Sequence, residues 1–313
     1  MNLRLSPGPH LLSKENTQTL MLDVLIALLP TVAAGIYLFG SKAAWVLSVA
    51  VASSVVCEYA WQKLMKQPVR IADLSAVVTG LILGLNLPAQ TPLWIPAIGS
   101  AIAILLVKQL FGGLGHNFLN PAMLARAILL SSWPAHMSVY FMPIRVLGTT
   151  SVLPSADAVS AATALVRPSG YQTYDLLIGN IPGTIGEVCK VAILIGFLYM
   201  LFVGTVSWHI PVVFVGTTAL LTLVLGRDPL AAVLSGGVLF GAVFMATDYV
   251  THPILRTGQV FFAIGCGLIV TVIRQFGSYP EGVTFAILLM NILTPLIDRL
   301  MSRRVYGMVK KHA

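Results

Sequence analysis

The sequence predicts an all-α polytopic membrane protein of about ten transmembrane helices, arranged as two five-helix inverted repeats. Three observations predict it: a charge content far below that of a soluble surface, a succession of apolar runs long enough to cross a bilayer, and matched segments in the two halves. Only 10% of the 313 residues are charged against 57% hydrophobic, and the mean hydropathy is +0.88. Soluble domains carry roughly 25% charged residues, so most of this chain must face lipid or other protein.

A bilayer core takes about 20 apolar residues per helix. Runs bounded by charges, Pro and Gly fall at 19–40, 43–64, 74–88, 93–111, 118–133, 185–206, 209–226, 230–247, 258–275 and 283–300. The first run follows mostly polar residues and precedes further runs, so it reads as a span rather than a cleaved signal. The third and fifth are short and carry Gly80, Gly84, Asn86 and Pro88, and Asn117, Asn120 and Pro121. Irregular backbone at membrane depth survives only where it is buried or lines a cavity, which places these two at a central site. The chain divides into a first membrane half (1–133), a polar loop (134–184), a second membrane half (185–300) and a basic tail (301–313). The loop is far longer than an ordinary connector and is expected to be functional.

Ten spans put both termini on one side. Assigned to the cytoplasm, that side holds Arg4, Lys14, Lys63, Lys66, Arg70, Lys108, Arg256, Arg299, Arg303, Arg304, Lys310 and Lys311, against Lys42, Arg145, Arg167, Arg227 and Arg274 outside. Cytoplasmic loops concentrate Lys and Arg, so the termini read as inside and the 134–184 loop as outside. The net charge of +8 is therefore a topology signal. It forms no basic stripe with interleaved aromatics, and no nucleic-acid partner is expected.

The repeat is read from two pairs of segments. DLSAVVTGLILGLNLP (73–88) parallels DPLAAVLSGGVLFGAVFMATD (228–248), and KQLFGGLGHNFLNPAMLARAIL (108–129) parallels RQFGSYPEGVTFAILLMNILTPLI (274–297). Five spans per half give the halves opposite orientations, as in transporters. Cys57, Cys189 and Cys266 sit in apolar runs without metal-ligand spacing and read as small core residues. Asp23, Glu58 and Asp248 lie in or at the end of spans, where an ionisable group costs about 2.5–3.5 kcal/mol at the helix centre and so points to function. Each is a candidate for an ion path or cofactor contact, with interfacial anchoring the alternative. Glu187 and Lys190, at i and i+3, read as local charge compensation, and Arg126 as the partner of a carboxylate or phosphate. Glycines 80, 84, 236, 237 and 241 offer small faces for close helix packing. FGGLG (111–115) lacks the strand and GK[ST] of a phosphate cradle and reads as a turn between helices.

On the outer loop, DAVSAAT (157–163) has no apolar periodicity and surrounds its hydroxyls with small residues, leaving them open to a modifying enzyme. Together with SPGPH (6–10), DLSAVVTGLILGLNLP (73–88), FGGLGHNFLNPA (111–122), GAVFMATD (241–248) and YPEGVTFAILLMN (279–291), the chain resembles the D subunit of the Rnf electron-transport complex. It is likewise similar to the B subunit of the sodium-pumping NADH:quinone reductase, which has a longer N-terminus. The resemblance implies FMN joined through its phosphate to Thr163, in a pattern that also takes in Asp157, Ser160 and Ala162; Ala161 stands where the family pattern has Gly. It further implies a second, non-covalent flavin such as riboflavin. Flavin-bearing and iron–sulfur subunits and a flavin transferase are the implied partners, at a bacterial inner membrane. The expected role is to pass electrons within a complex that couples redox chemistry to ion movement. A secondary transporter or channel without a redox cofactor is the alternative that inverted repeats and broken spans equally suggest.

Overall fold

Helix-terminating and capping residues divide the apolar sequence into helices. The structure is a computed structural model that describes residues 16–143, 172–277 and 282–301. Helix α1 (Thr17–Phe39) starts where Asn16 N–H donates to Thr19 Oγ1 at 2.9 Å, and it stops at Gly40, whose φ of 74° turns the chain directly into α2 (Ser41–Leu64). A short 3₁₀ turn (Ile71–Asp73) leads into α3 (Ser75–Leu85), and α4 (Trp94–Ala101) runs on without a break as a π-helix (Ile102–Gln109). Helix α5 (Pro121–Ser132) is followed by the short α6 (Pro134–Met137) and α7 (Thr173–Ile178). The second half holds α8 (Lys190–Val203), α9 (His209–Val224), α10 (Pro229–Leu234) and α11 (Val238–Phe240), the last continuing as a π segment (Gly241–Met245). It closes with α12 (Arg256–Phe276) and α13 (Val283–Met301).

The all-helical, polytopic expectation holds: each of the ten expected runs contains helix, and no strand occurs among the described residues. Helices α1, α2, α12 and α13 are long and apolar enough to cross a membrane. Their outward faces carry bare apolar side chains such as Leu29, Val56, Phe261 and Leu300, which only lipid or a partner subunit could cover.

The short helices sit inside. Helix α3 has 11 residues, so at about 1.5 Å per residue it spans roughly half of a 30 Å core. It packs against α1, α2 and α5 rather than lipid. Gly80 and Gly84 allow this: a methyl at Gly80 would lie 2.7 Å from the Ala50 carbonyl oxygen, and one at Gly84 would lie 3.2 Å from Ala50 Cβ. Carbonyls at and just beyond the end of α3 find partners outside the helix, since Gly186 N–H donates to Leu85 at 2.7 Å and Ile185 N–H to Leu87 at 3.1 Å. The sixth expected span therefore begins with non-helical chain at 185–189, spent on capping α3, and becomes helix at Lys190.

The eighth expected span, 230–247, also departs from a continuous helix. It breaks at Ser235–Gly237, with Gly236 at φ 65°. Gly236 was expected to provide a packing face; it provides the left-handed conformation that a break requires. Gly241 does pack closely, against Val283.

Neighbour relations repeat between the halves. Helix α2 packs on α3 and α4, as α9 packs on α10 and α12; α5 packs on the π extension of α4, as α13 packs on α12. Equivalent helices also meet each other, α1 with α8 and α5 with α13. This is the arrangement expected of a pseudo-twofold relation between two five-helix units.

Candidate functional site

The site forms where the start of α3 approaches the end of the π segment that follows α11. Asp73 starts α3: its Oδ1 accepts from Ser75 N–H at 2.9 Å and from Ser75 Oγ at 2.6 Å, while Leu74 takes a left-handed φ of 62°. Asp228 starts α10 in the same manner, accepting from Leu230 N–H at 2.9 Å ahead of Pro229 at the first helical position. The two aspartates that open the matched sequence segments thus share one role, satisfying amides that a helix start leaves unpaired.

The π-helix at the end of α4 aims Lys108 and Gln109 at α2. Lys108 Nζ lies 2.9 Å from both Glu58 oxygens and 2.6 Å from Ser75 Oγ, and Gln109 Nε2 donates to Glu58 Oε1 at 2.8 Å. Gln62 adds a bond to the same oxygen at 3.2 Å. Glu58, Ser75 and Lys108 are each at most 3% exposed, so this is a buried ion pair, tied to the first turn of a half-helix. A wide π turn is a recurrent device for re-aiming side chains at functional sites. Beyond Gln109, Gly112, Gly113 and Gly115 all have positive φ, and FGGLG is the expected turn between helices. Lys108 differs from its expected place: read as a loop charge, it is buried and paired, because its aliphatic stem crosses the packed interface to reach a carboxylate.

Ser75 and Lys108 border a central cavity of about 80 Å³, which is also lined by Val78 of α3, Asn120, Met200 of α8, Phe244, Thr247 and Asp248. Asn120 joins the halves here. Its side chain accepts from Ala122 and Met123 N–H at the start of α5 and donates to the Met245 carbonyl at 3.2 Å, at the end of the second π segment. On the other side of Lys108, Glu58, Gln62, Arg70, Asp73 and Gln109 line a wider cleft of about 570 Å³.

Of the three carboxylates singled out from sequence, Glu58 lines the cleft and Asp248 the central cavity, with Lys108 between the two volumes. Asp248 lines the central cavity and accepts from Thr251 Oγ1 at 3.3 Å. Asp23 stands apart on α1, where it accepts from Tyr199 OH of α8 at 3.3 Å, a tie between the two halves. Arg126 donates to Asn86 Oδ1 at 2.8 Å, at the far end of α3. Lys190 donates to the carbonyls of Glu187 and Gly236, and Arg274 donates to those of Ala232 at 2.7 Å and Ser235 at 3.3 Å. Both cations therefore serve the C-terminal carbonyls of α10 and its break, where the helix dipole is negative. The Glu187–Lys190 spacing looked like local compensation; the structure gives Lys190 this longer reach as well.

Asp157, Ser160, Ala162 and Thr163 lie outside the described residues. Ser75, Lys108 and Gln109 were not singled out from sequence as site residues. The one signal for Lys108 was its alignment with Arg274 in the second half, where the equivalent cation also reaches a half-helix.

Short, interrupted helices around a central cavity, inside a bundle with a lipid-compatible surface, define a polytopic membrane protein. The chain belongs to the NQR2, RnfD, RnfE family, which matches residues 4–307. It is 46% identical to the D subunit of the Na(+)-translocating ferredoxin:NAD(+) oxidoreductase complex of Acetobacterium woodii, covering 99% of this chain and 97% of that protein. The D subunit of the proton-translocating ferredoxin:NAD(+) oxidoreductase complex of Clostridium ljungdahlii is 38% identical over 94% of this chain and 93% of its own. The D subunit of the ion-translocating oxidoreductase complex of Stutzerimonas stutzeri is 40% identical with the same coverage.

Proposed function

We propose that this chain is the membrane subunit of an ion-translocating oxidoreductase complex, and that it carries electrons on FMN bound covalently to Thr163. The observation that carries the first part is identity of 46% along 99% of the chain to a subunit of such a complex. The second part is supported by DAVSAAT at 157–163, in which Thr163 is the acceptor while Asp157, Ser160 and Ala162 form the segment that the flavin transferase recognises. Attachment needs the threonine oxygen as nucleophile toward an activated flavin phosphate. Once bound, the flavin supplies one- and two-electron chemistry, and the protein sets its position and access to solvent.

The location proposed is a bacterial inner membrane, with both termini cytoplasmic and the flavin loop outside. The charge asymmetry of the loops supports this orientation. Flavin-bearing and iron–sulfur subunits are the proposed partners, with the two membrane halves flanking the loop at 134–184. The central cavity, at about 80 Å³, is well below the roughly 300–1,000 Å³ of ordinary cofactor pockets. A second, non-covalent flavin such as riboflavin is proposed to lie outside this cavity; the wider cleft, at about 570 Å³, falls within that range. Glu58 and Asp248, the acidic groups at the cavity and its wall, are proposed to serve the ion path instead.

The test is in-gel flavin fluorescence of the denatured subunit, isolated from cells that contain the flavin transferase. Thr163→Val keeps the branched shape without the oxygen and should lose the band, while Ser160→Ala should keep it. Mass spectrometry of the 157–167 peptide should find one FMN added less water. An unmodified Thr163 would refute the assignment, with Ala161 the first residue to examine, and a colourless subunit would favour a transporter without a redox cofactor.

A further inference from the structure

Lys108 stands in a wall between two volumes. With Ser75 it borders the central cavity, whereas the Glu58 carboxylate that it holds borders the cleft, as does Asp73; Leu114 lines both. Relative to apolar residues of similar size, a buried ion pair adds little stability, because desolvation offsets the attraction. Its position, between a wide cleft and a small central cavity at the start of a half-helix, suits a different task.

We propose that the Glu58 carboxylate and Ser75 Oγ form a cation site between cleft and cavity. Its resident occupant is the Lys108 ammonium, which exchanges with a small monovalent cation or a proton entering from the cleft. The inference rests on the ion-translocating reading above and gives it a place in the fold. Three features of the geometry support it. The oxygens around the ammonium, at 2.6–2.9 Å, come from two separate helices, α2 and α3, while the ammonium itself comes from a third element. Those oxygens stay oriented when the ammonium leaves, since Gln109 and Gln62 hold Glu58 while Ser75 donates to Asp73 and keeps lone pairs free. The ammonium is borne on a flexible four-carbon stem, and Asp248 of the same cavity offers it a second counter-charge. The exchange conserves charge at Glu58. The other charged groups facing this wall are Asp73 and Arg70, from the cleft.

Competition makes the proposal testable, because the apparent affinity of a site falls with the fraction of time that it is occluded. Lys108→Met removes the resident competitor and leaves Glu58 in need of a cation. In the purified full-length chain, the thermal midpoint of Lys108→Met should rise with sodium chloride over about a hundredfold range, with choline chloride holding ionic strength constant, or else with acidification at fixed sodium. The first result identifies sodium and the second a proton. Wild type should respond less, and Glu58→Gln/Lys108→Met should not respond. A Lys108→Met chain indifferent to both titrations overturns the proposal, as does an equal response in the double variant. Should Lys108→Met fail to accumulate, Lys108→Arg in the assembled complex decides. A shift of about tenfold in the half-saturating cation concentration is expected, and no shift overturns the site. Absence of flavin or of ion movement in the wild-type complex would defeat the proposed function, while the cation response of Lys108→Met would still be read on its own.

Discussion

Replacing Gly80 with alanine tests how closely α2 and α3 must approach to hold Ser75 against Lys108. The added methyl would collide with Ser54 Oγ, and it would also lie 2.7 Å from the Ala50 carbonyl oxygen and 3.0 Å from Val51 Cα. Two of these obstacles are backbone of α2, so no rotamer change relieves them and the helices must part. Overpacking of this kind costs about 1–3 kcal/mol, and the backbone clash places this case near the upper end. The helix-propensity gain of Ala over Gly, about 1 kcal/mol, opposes it. The net expectation is a loss of about 2 kcal/mol, the difference of those two terms. Ser54→Ala in the same chain should restore less than half, because the backbone contacts remain. Loss of the Ser54 hydroxyl does not orphan the Ala50 carbonyl, which also accepts from Ser100 Oγ at 2.8 Å. Gly216→Ala on α9 is the control: nothing lies within 4 Å of its added methyl, so only the propensity term acts and stability should hold or rise by up to about 1 kcal/mol. Thermal unfolding of the purified chains in one detergent, followed by fluorescence-detected gel filtration, reads all four. A Gly80→Ala chain as stable as wild type, or a Gly216→Ala chain equally damaged, would refute the packing argument.

Asp73→Ala removes the acceptor at the start of α3 and should cost about 1 kcal/mol in the same unfolding assay, and an unchanged midpoint would mean that Ser75 is held by Lys108 alone. Asp248→Asn keeps shape while removing charge and should lower coupled ion transport or electron transfer in an assembled complex; if both survive intact, Asp248 is an interfacial anchor. A reporter fused after Ala313 should be cytoplasmic and a tag at Ser169 reachable from outside, and labelling of that tag only after the inner face is exposed would overturn the proposed orientation.

Much of the bundle was legible in the sequence because lipid imposes a length on apolar runs. All ten runs contain helix, and the interruptions by Gly80, Gly84, Asn86 and Pro88 correctly marked α3 as an interior element. The paired aspartates, Asp73 and Asp228, were visible as a matched motif before their common capping role was known. The break at Ser235–Gly237 was not read, since glycines in an apolar run signal a packing face and a break equally well, and only tertiary context separates the two. The non-helical start of the sixth run at 185–189 was hidden for a related reason: its amides serve α3, about 100 residues earlier in sequence, and no local pattern announces so distant a partner.

The sequence by itself determined the solvent in which this protein folds, the number of its apolar segments and the family to which it belongs. These depend on composition and on short motifs, which are local properties of the chain. Only the tertiary structure decided which charges meet. Lys108 and Glu58 are fifty residues apart and on different helices, and a lysine at the end of an apolar run looks the same whether it ends in water or in a buried ion pair. The wide π turn at Ile102–Gln109 and the close approach of α2 and α3 turn Lys108 inward. Both are consequences of packing, so the wall between cleft and cavity exists only once the helices have assembled.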